Sequence, residues 1–185
     1  QHPADNDDHG VGHGAEQVTK KVQEQAPAWA NVSFVEQTVQ AGTGDATLVG
    51  LSALPGGGLD DDLDDTSTVV VLPGDTPLLQ AATLDMLVAA HNANEYAATL
   101  ITSVLDDPTG YGRVVRAPSK HGDGRVLRIV EQRDADEEER TIQEVCTSMY
   151  AFRRDLLGPA LRHLSPENAQ GEQYLTDVIG ALAAM

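Results

Sequence analysis

A single cysteine, Cys146, among 185 residues excludes an internal disulfide. The expectation is a chain held by packing alone in a reducing cytoplasm. Long apolar runs are missing too, and none approaches the ~20 residues that span a bilayer. Residues 1–14 are polar and acidic, unlike a secretory leader. Aromatic residues make up only 4%, yet hydrophobic residues reach 41%, the level of a globular chain rather than a disordered one. Positive charge is scarcest. Twelve basic residues stand against 29 acidic ones, a net charge of −17. Such a surface repels nucleic acid and anionic lipid, which excludes both as partners. The shortage is uneven. No arginine precedes Arg113, so residues 1–112 hold two lysines against 17 acids, leaving −15 there and −2 on the rest.

What is present alternates between helical and extended patterns. Val18 and Val22, four apart, predict a short amphipathic helix after a glycine-rich turn at 10–14, ended by Pro27. Residues 32–35 read as a strand, and a helix is expected from Gly42-Thr43-Gly44 to Leu54. Residues 56–66 read as a loop. Its aspartate run resembles a calcium loop only superficially, because Asp65 and Val71 stand where an EF-hand needs Gly and Glu. The run Val69-Val70-Val71-Leu72, closed by Pro73-Gly74-Asp75, predicts a strand buried on both faces. A helix over 81–93 follows, with Leu84, Leu87, Val88 and His91 on one side. Strands are expected at 98–105, 114–116, 126–130 and 145–152, the middle pair flanking a glycine turn at 121–124. Helices at 155–164 and 174–184 close the chain. Strands alternating with helices predict an α/β layered fold.

In open α/β sheets ligands bind beyond the carboxyl ends of strands. Asp75 falls there, either as a hard ligand for Mg²⁺ or as a turn former in Gly-Asp-Thr-Pro. Gln37 and Gly42-Thr43-Gly44 straddle a strand-to-helix junction, where glycines admit a ligand and an amide can donate to and accept from a base edge. A plain glycine-rich connection is the alternative. Glu131, at a strand end, could accept from sugar hydroxyls or simply be a surface acid. Cys146, in an apolar strand, reads as a small buried residue.

Several segments together carry a resemblance. They are Gln37 with AGTGDA (41–46), VLPGDTPLL (71–79), DDPTGYGRVVR (106–116), RIVEQRDA (128–135) and NAQGEQYLTD (168–177). In this order they resemble the uridylyltransferase domain of the bifunctional N-acetylglucosamine-1-phosphate uridylyltransferase/glucosamine-1-phosphate acetyltransferase family. The resemblance implies a nucleotide-diphospho-sugar transferase-like fold with a mixed, mostly parallel sheet. It implies uridylyl transfer from UTP to N-acetylglucosamine 1-phosphate with Mg²⁺ as cofactor. By the same resemblance Gln37, Gly42 and Thr43 hold the uracil nucleotide, Gly74 and Asp75 bind substrate, and Asp75 ligates Mg²⁺. Gly112, Glu131, Cys146, Tyr174 and Thr176 would line the sugar pocket.

The chain also departs from that pattern. The family's first strand and its basic glycine-rich loop do not precede Gln1, and a second metal ligand, an Asn further on, has no counterpart. Cys146 stands where the family usually has a sugar-contacting Asn, with Ser148 where Gly is common. Residues 1–185 are therefore expected to be a partial uridylyltransferase domain without its acetyltransferase β-helix, homotrimeric only if the parent protein carries that helix. The competing expectations are another sugar-1-phosphate nucleotidyltransferase and a non-catalytic nucleotide-sugar-binding module.

Overall fold

The computed structural model describes residues 11–54, 66–120 and 124–185, in two compact units, one up to Glu36 and one from Gln37 to Met185. The first unit holds α1 (Val11–Gln25), which stops before Pro27, a residue with no N–H to continue it. Gly12 and Gly14 lie inside this helix rather than in the expected turn. A glycine costs only about 1 kcal/mol in a helix, little enough for the helix to tolerate. Residues 32–35 do not form the expected strand. Val32, Phe34 and Val35 are exposed, and no described strand pairs with them, so their backbone groups have no ladder to join. The glycine at 10, most of the aspartate loop and most of the turn at 121–124 lie outside the described residues.

The second unit runs α2 (Thr43–Ser52), β1 (Thr68–Val71), α3 (Ala81–Asn94), β2 (Ala98–Val104), β3 (Arg113–Arg116) and β4 (Val126–Val130). A 3-10 turn (Glu139–Thr141), β5 (Glu144–Arg153), α4 (Arg154–Arg162) and α5 (Asp177–Ala183) complete it. The expected last helix begins later than its pattern, because residues 174–176 form a turn first.

The five strands make one open sheet in which the long β5 is the hub. β5 pairs with β1, β2 and β3, and β3 pairs with β4. Every one of these pairings is antiparallel, so the described residues do not form the mostly parallel ladder expected. The α/β layering itself is there. β1 and β2 both run against β5 and hence parallel to one another, joined through α3, but β5 lies between them. β1 is also less buried than its sequence suggests. It ends the hydrogen-bonded path, with one side unpaired among the described residues, and Val70 is 37% exposed.

The core lies where β5 meets α4 and α5. Phe152, Leu157 and Val178 are fully buried there, with Val114, Ile129 and Leu161 around them. Burying a side chain of this size contributes about 1.5–3 kcal/mol, and α4 buries its apolar stripe here despite carrying Pro159.

One irregularity in β5 positions the site. Tyr150 faces Leu100, but Cys146 faces Thr102, so residues 147–149 stand opposite Ile101 alone. The Thr147 hydroxyl closes the gap, donating to the Ile101 carbonyl at 2.7 Å. Ser148 takes φ +59°, the left-handed conformation that bulges demand and that glycine adopts more easily.

Candidate active site

A cavity of about 770 Å³ opens beside the end of β1. Its apolar wall comes from α2 and β1, chiefly Leu51, Val69 and Val71. The polar wall gathers Asp75 from the turn after β1, Glu131 from the end of β4, Ser148 and Tyr150 from the bulge, and Glu172, Tyr174 and Thr176 from the segment before α5. Of the sequence-derived candidates, Thr43, Asp75, Glu131, Tyr174 and Thr176 line this space together. Gln37, Gly42, Gly74, Gly112 and Cys146 do not. Among the described residues the lining carries three carboxylates and no basic side chain.

Glu131 is the best-defined polar group. It accepts a hydrogen bond from the Thr176 hydroxyl at 2.9 Å, which orients the carboxylate. Its main-chain carbonyl accepts from the amides of Asp134 and Ala135 and so fixes the turn that follows β4. Gly112 lies against it. A Cβ on Gly112 would sit 3.4 Å from both carboxylate oxygens and 2.9 Å from Ile129 Cγ2, so any side chain there would crowd the acid. The loop carrying Gly112 is tethered by the buried Arg113, whose guanidinium donates to the Tyr111 carbonyl and, at 2.6 Å, to Gln132 Oε1. Burial and the Glu131 and Asp134 charges raise the Asp177 carboxyl above its ordinary range. Tyr174 is buried, and its hydroxyl makes no bond of normal geometry, although the Gln170 side chain is near.

The bulge corrects the expectation for Cys146. The thiol is 4% exposed and faces the core, bonded to the Tyr150 hydroxyl at 3.1 Å. Burial pushes both the thiol and the Tyr150 phenol up, so each stays protonated at neutral pH. The side chain turns away because the two extra residues of the bulge carry the cavity-facing role to Ser148 and Tyr150. Cys146 still supports the site through its backbone, donating N–H to the Gly112 carbonyl at 2.9 Å.

At the start of α2 the glycines serve the backbone first. Gly42 has φ +116°, and a Cβ there would lie 2.5 Å from the Gln173 carbonyl oxygen. Gly44 donates its N–H to that same carbonyl at 2.8 Å. This end of α2 is therefore engaged with the 172–175 segment, and the Thr43 hydroxyl accepts from Leu175 N–H at 3.0 Å. Gln37 is half-buried. Its side-chain NH₂ donates to Asp45 Oδ2 at 2.7 Å and to the Gly42 carbonyl at 3.2 Å.

Asp75 is exposed, at the mouth of the cavity, and takes part in a turn closed by Thr76 Oγ1 donating to the Pro73 carbonyl at 3.2 Å. Turn former and cavity residue are thus one and the same. Among the described residues no three His, Cys, Asp or Glu side chains cluster as a ready-made metal cage. A lone carboxylate suits Mg²⁺, which takes one or two protein carboxylates and fills its remaining positions with water and substrate phosphates. Ser148, Tyr150 and Glu172 carried no site signal in the sequence as read. The left-handed backbone of Ser148, which marks the bulge, is visible only in the structure.

An open α/β sheet with polar side chains gathered beyond the end of a strand is the arrangement in which α/β enzymes bind their ligands. The nucleotidyl transferase family model matches residues 11–185, and the chain belongs to that family. It is 45% identical over 171 residues to the bifunctional protein GlmU of Corynebacterium efficiens, covering 92% of this chain and 33% of that protein. It is 50% identical over 149 residues to GlmU of Mycolicibacterium vanbaalenii, covering 80% of this chain and 28% of that one. The chain thus spans about a third of the length of the curated relatives it matches. In fold it is similar to a UDP-glucose pyrophosphorylase solved with UDP-glucose, at TM-score 0.61 and 15% identity, over 93% of this chain and 60% of that one.

Proposed function

We propose that this chain is part of a uridylyltransferase that makes UDP-N-acetylglucosamine and pyrophosphate from UTP and N-acetylglucosamine 1-phosphate. The observation that carries the reading is the sharing of one cavity by Asp75 and the Glu131–Thr176 pair. These are the residues that the family resemblance assigns to the phosphates and to the sugar. In the reaction, an oxygen of the sugar phosphate attacks the α-phosphorus of UTP in line. The new O–P bond forms as the bond to the bridging oxygen breaks, and pyrophosphate leaves with its electron pair.

Within that scheme Glu131, held by Thr176, accepts from sugar hydroxyls, and the missing Cβ of Gly112 leaves room for them. Gln37 reads the uracil edge, with Gly42 and Thr43 beside it. Gly74 lets the phosphates approach the turn, where Asp75 would hold Mg²⁺. The metal supplies neutralisation of phosphate charge, which this acidic lining cannot offer by itself. Tyr174 and Thr176 close the sugar side. The proposed setting is cytoplasmic, within a longer protein that is trimeric if it carries the β-helix domain.

The test is Asp75→Asn in the complete protein, assayed for pyrophosphate release with Mg²⁺. Turnover is expected to fall far more than UTP binding, because charge neutralisation is needed most in the transition state. Near wild-type turnover at saturating Mg²⁺ would leave Asp75 as a turn residue only. The all-acidic lining favours one second reading, a nucleotide-sugar-binding module without catalysis. Tight UDP-N-acetylglucosamine binding by a complete protein that releases no pyrophosphate would select it.

A further inference from the structure

Gln37 is held in a way that decides what it can offer a ligand. Both hydrogen-bond partners of its side-chain NH₂ are pure acceptors, the Asp45 carboxylate at 2.7 Å and the Gly42 carbonyl at 3.2 Å. A flipped amide would set its oxygen against two other oxygens, one of them charged, so the flip is forbidden. Both amide hydrogens are used. The remaining group, Oε1, has no donor among the described residues. Gln37 therefore presents an acceptor and nothing else, although a free glutamine could present either face.

We propose that Asp45 is a positioning residue for nucleotide specificity, locking Gln37 so that the site accepts bases with an N–H on their pairing edge. The inference rests on the reading that Gln37 meets the base of the substrate. A uracil ring carries a hydrogen on N3 and donates to Oε1. A cytosine ring has a lone pair at N3, which would face the lone pairs of Oε1. Asp45 lies in the first turn of α2, where the helix dipole also favours a negative charge. Its neighbours Thr43 and Ala46 line the cavity, which puts the lock one residue from the ligand space.

The experiment compares kcat/KM for UTP and CTP in the complete protein, for wild type, Asp45→Asn and Asp45→Glu, with melting temperature as control. An Asn at 45 can present its own NH₂ and lets Gln37 turn over. The UTP-to-CTP ratio is expected to fall about five- to tenfold, the worth of one directed hydrogen bond. Asp45→Glu keeps a pure acceptor and is expected to retain most of the preference. An unchanged ratio in Asp45→Asn overturns the proposal. So does an equal loss with both nucleotides that tracks a lowered melting temperature, which would make Asp45 a helix-end residue only. If the wild-type protein turns over neither nucleotide, the uridylyltransferase reading fails first, and the two failures are told apart.

Discussion

Cys146 carries a sharp question at the scale of one side chain. An asparagine there offers two donors and two acceptor lone pairs, but the surroundings of the thiol provide two polar partners, the Tyr150 hydroxyl and the Ser148 N–H. At 4% exposure the side chain is shut off from bulk solvent. Cys146→Asn should therefore destabilise the protein by about 1–3 kcal/mol and lower its melting temperature. The Michaelis constant for the sugar phosphate should not improve, since the cavity is faced by Ser148 and Tyr150. Thermal melts and sugar-phosphate kinetics on this one variant check both statements. A lower Michaelis constant with unchanged melting would return Cys146 to the substrate.

The contact of α3 with β2 sets a pH dependence at the scale of the element. His91 is buried on α3 at 2% exposure, bonded through Nδ1 to the Thr99 hydroxyl at 2.9 Å, with Nε2 unpartnered. Burial, and then the nearby Arg153 charge, lower its pKa from the ordinary 6.5. In the window below that value the unfolded chain binds a proton that the folded one refuses. Stability should therefore be whole above pH 6.5 and fall as pH drops from there through the lowered folded value. His91→Gln keeps a partner for Thr99 but does not titrate. Urea midpoints measured between about pH 5 and 7 should decline in the wild type and stay flatter in the variant. Parallel curves would show that carboxylates dominate the whole range.

Charge is the decisive property at the scale of the whole chain. The net charge is −17, and the described cavity lining has three carboxylates and no basic side chain. A triphosphate brought there meets repulsion unless a metal and cations from outside this lining offset it. The isolated 185-residue chain is thus expected to release little or no pyrophosphate from UTP and N-acetylglucosamine 1-phosphate, even with Mg²⁺. Adding Mg²⁺ alone should not restore it. Full turnover by the isolated chain would mean that the described lining is not the phosphate site.

Most elements were legible because local pattern and packing agree in them. The periodic face with Leu87 and His91 buries against the sheet, and β4 spans the residues expected beside the glycine turn. Residues 32–35 failed because an apolar run makes a strand only when a partner supplies the ladder. β1 looked doubly buried because a run of valines says nothing about which edge is left open. Local sequence by itself determined the α/β class and the acidic character, whereas Asp75, Glu131 and Thr176 were put together only by the family resemblance. Only the tertiary structure decided that Glu131 and Thr176, 45 positions apart, bond to each other. It alone turned Cys146 inward, through a bulge whose register depends on β2, and oriented the Gln37 amide through a carboxylate eight residues away. Direction and partnership of a side chain are set by what packs across from it, and that information lies in other parts of the chain.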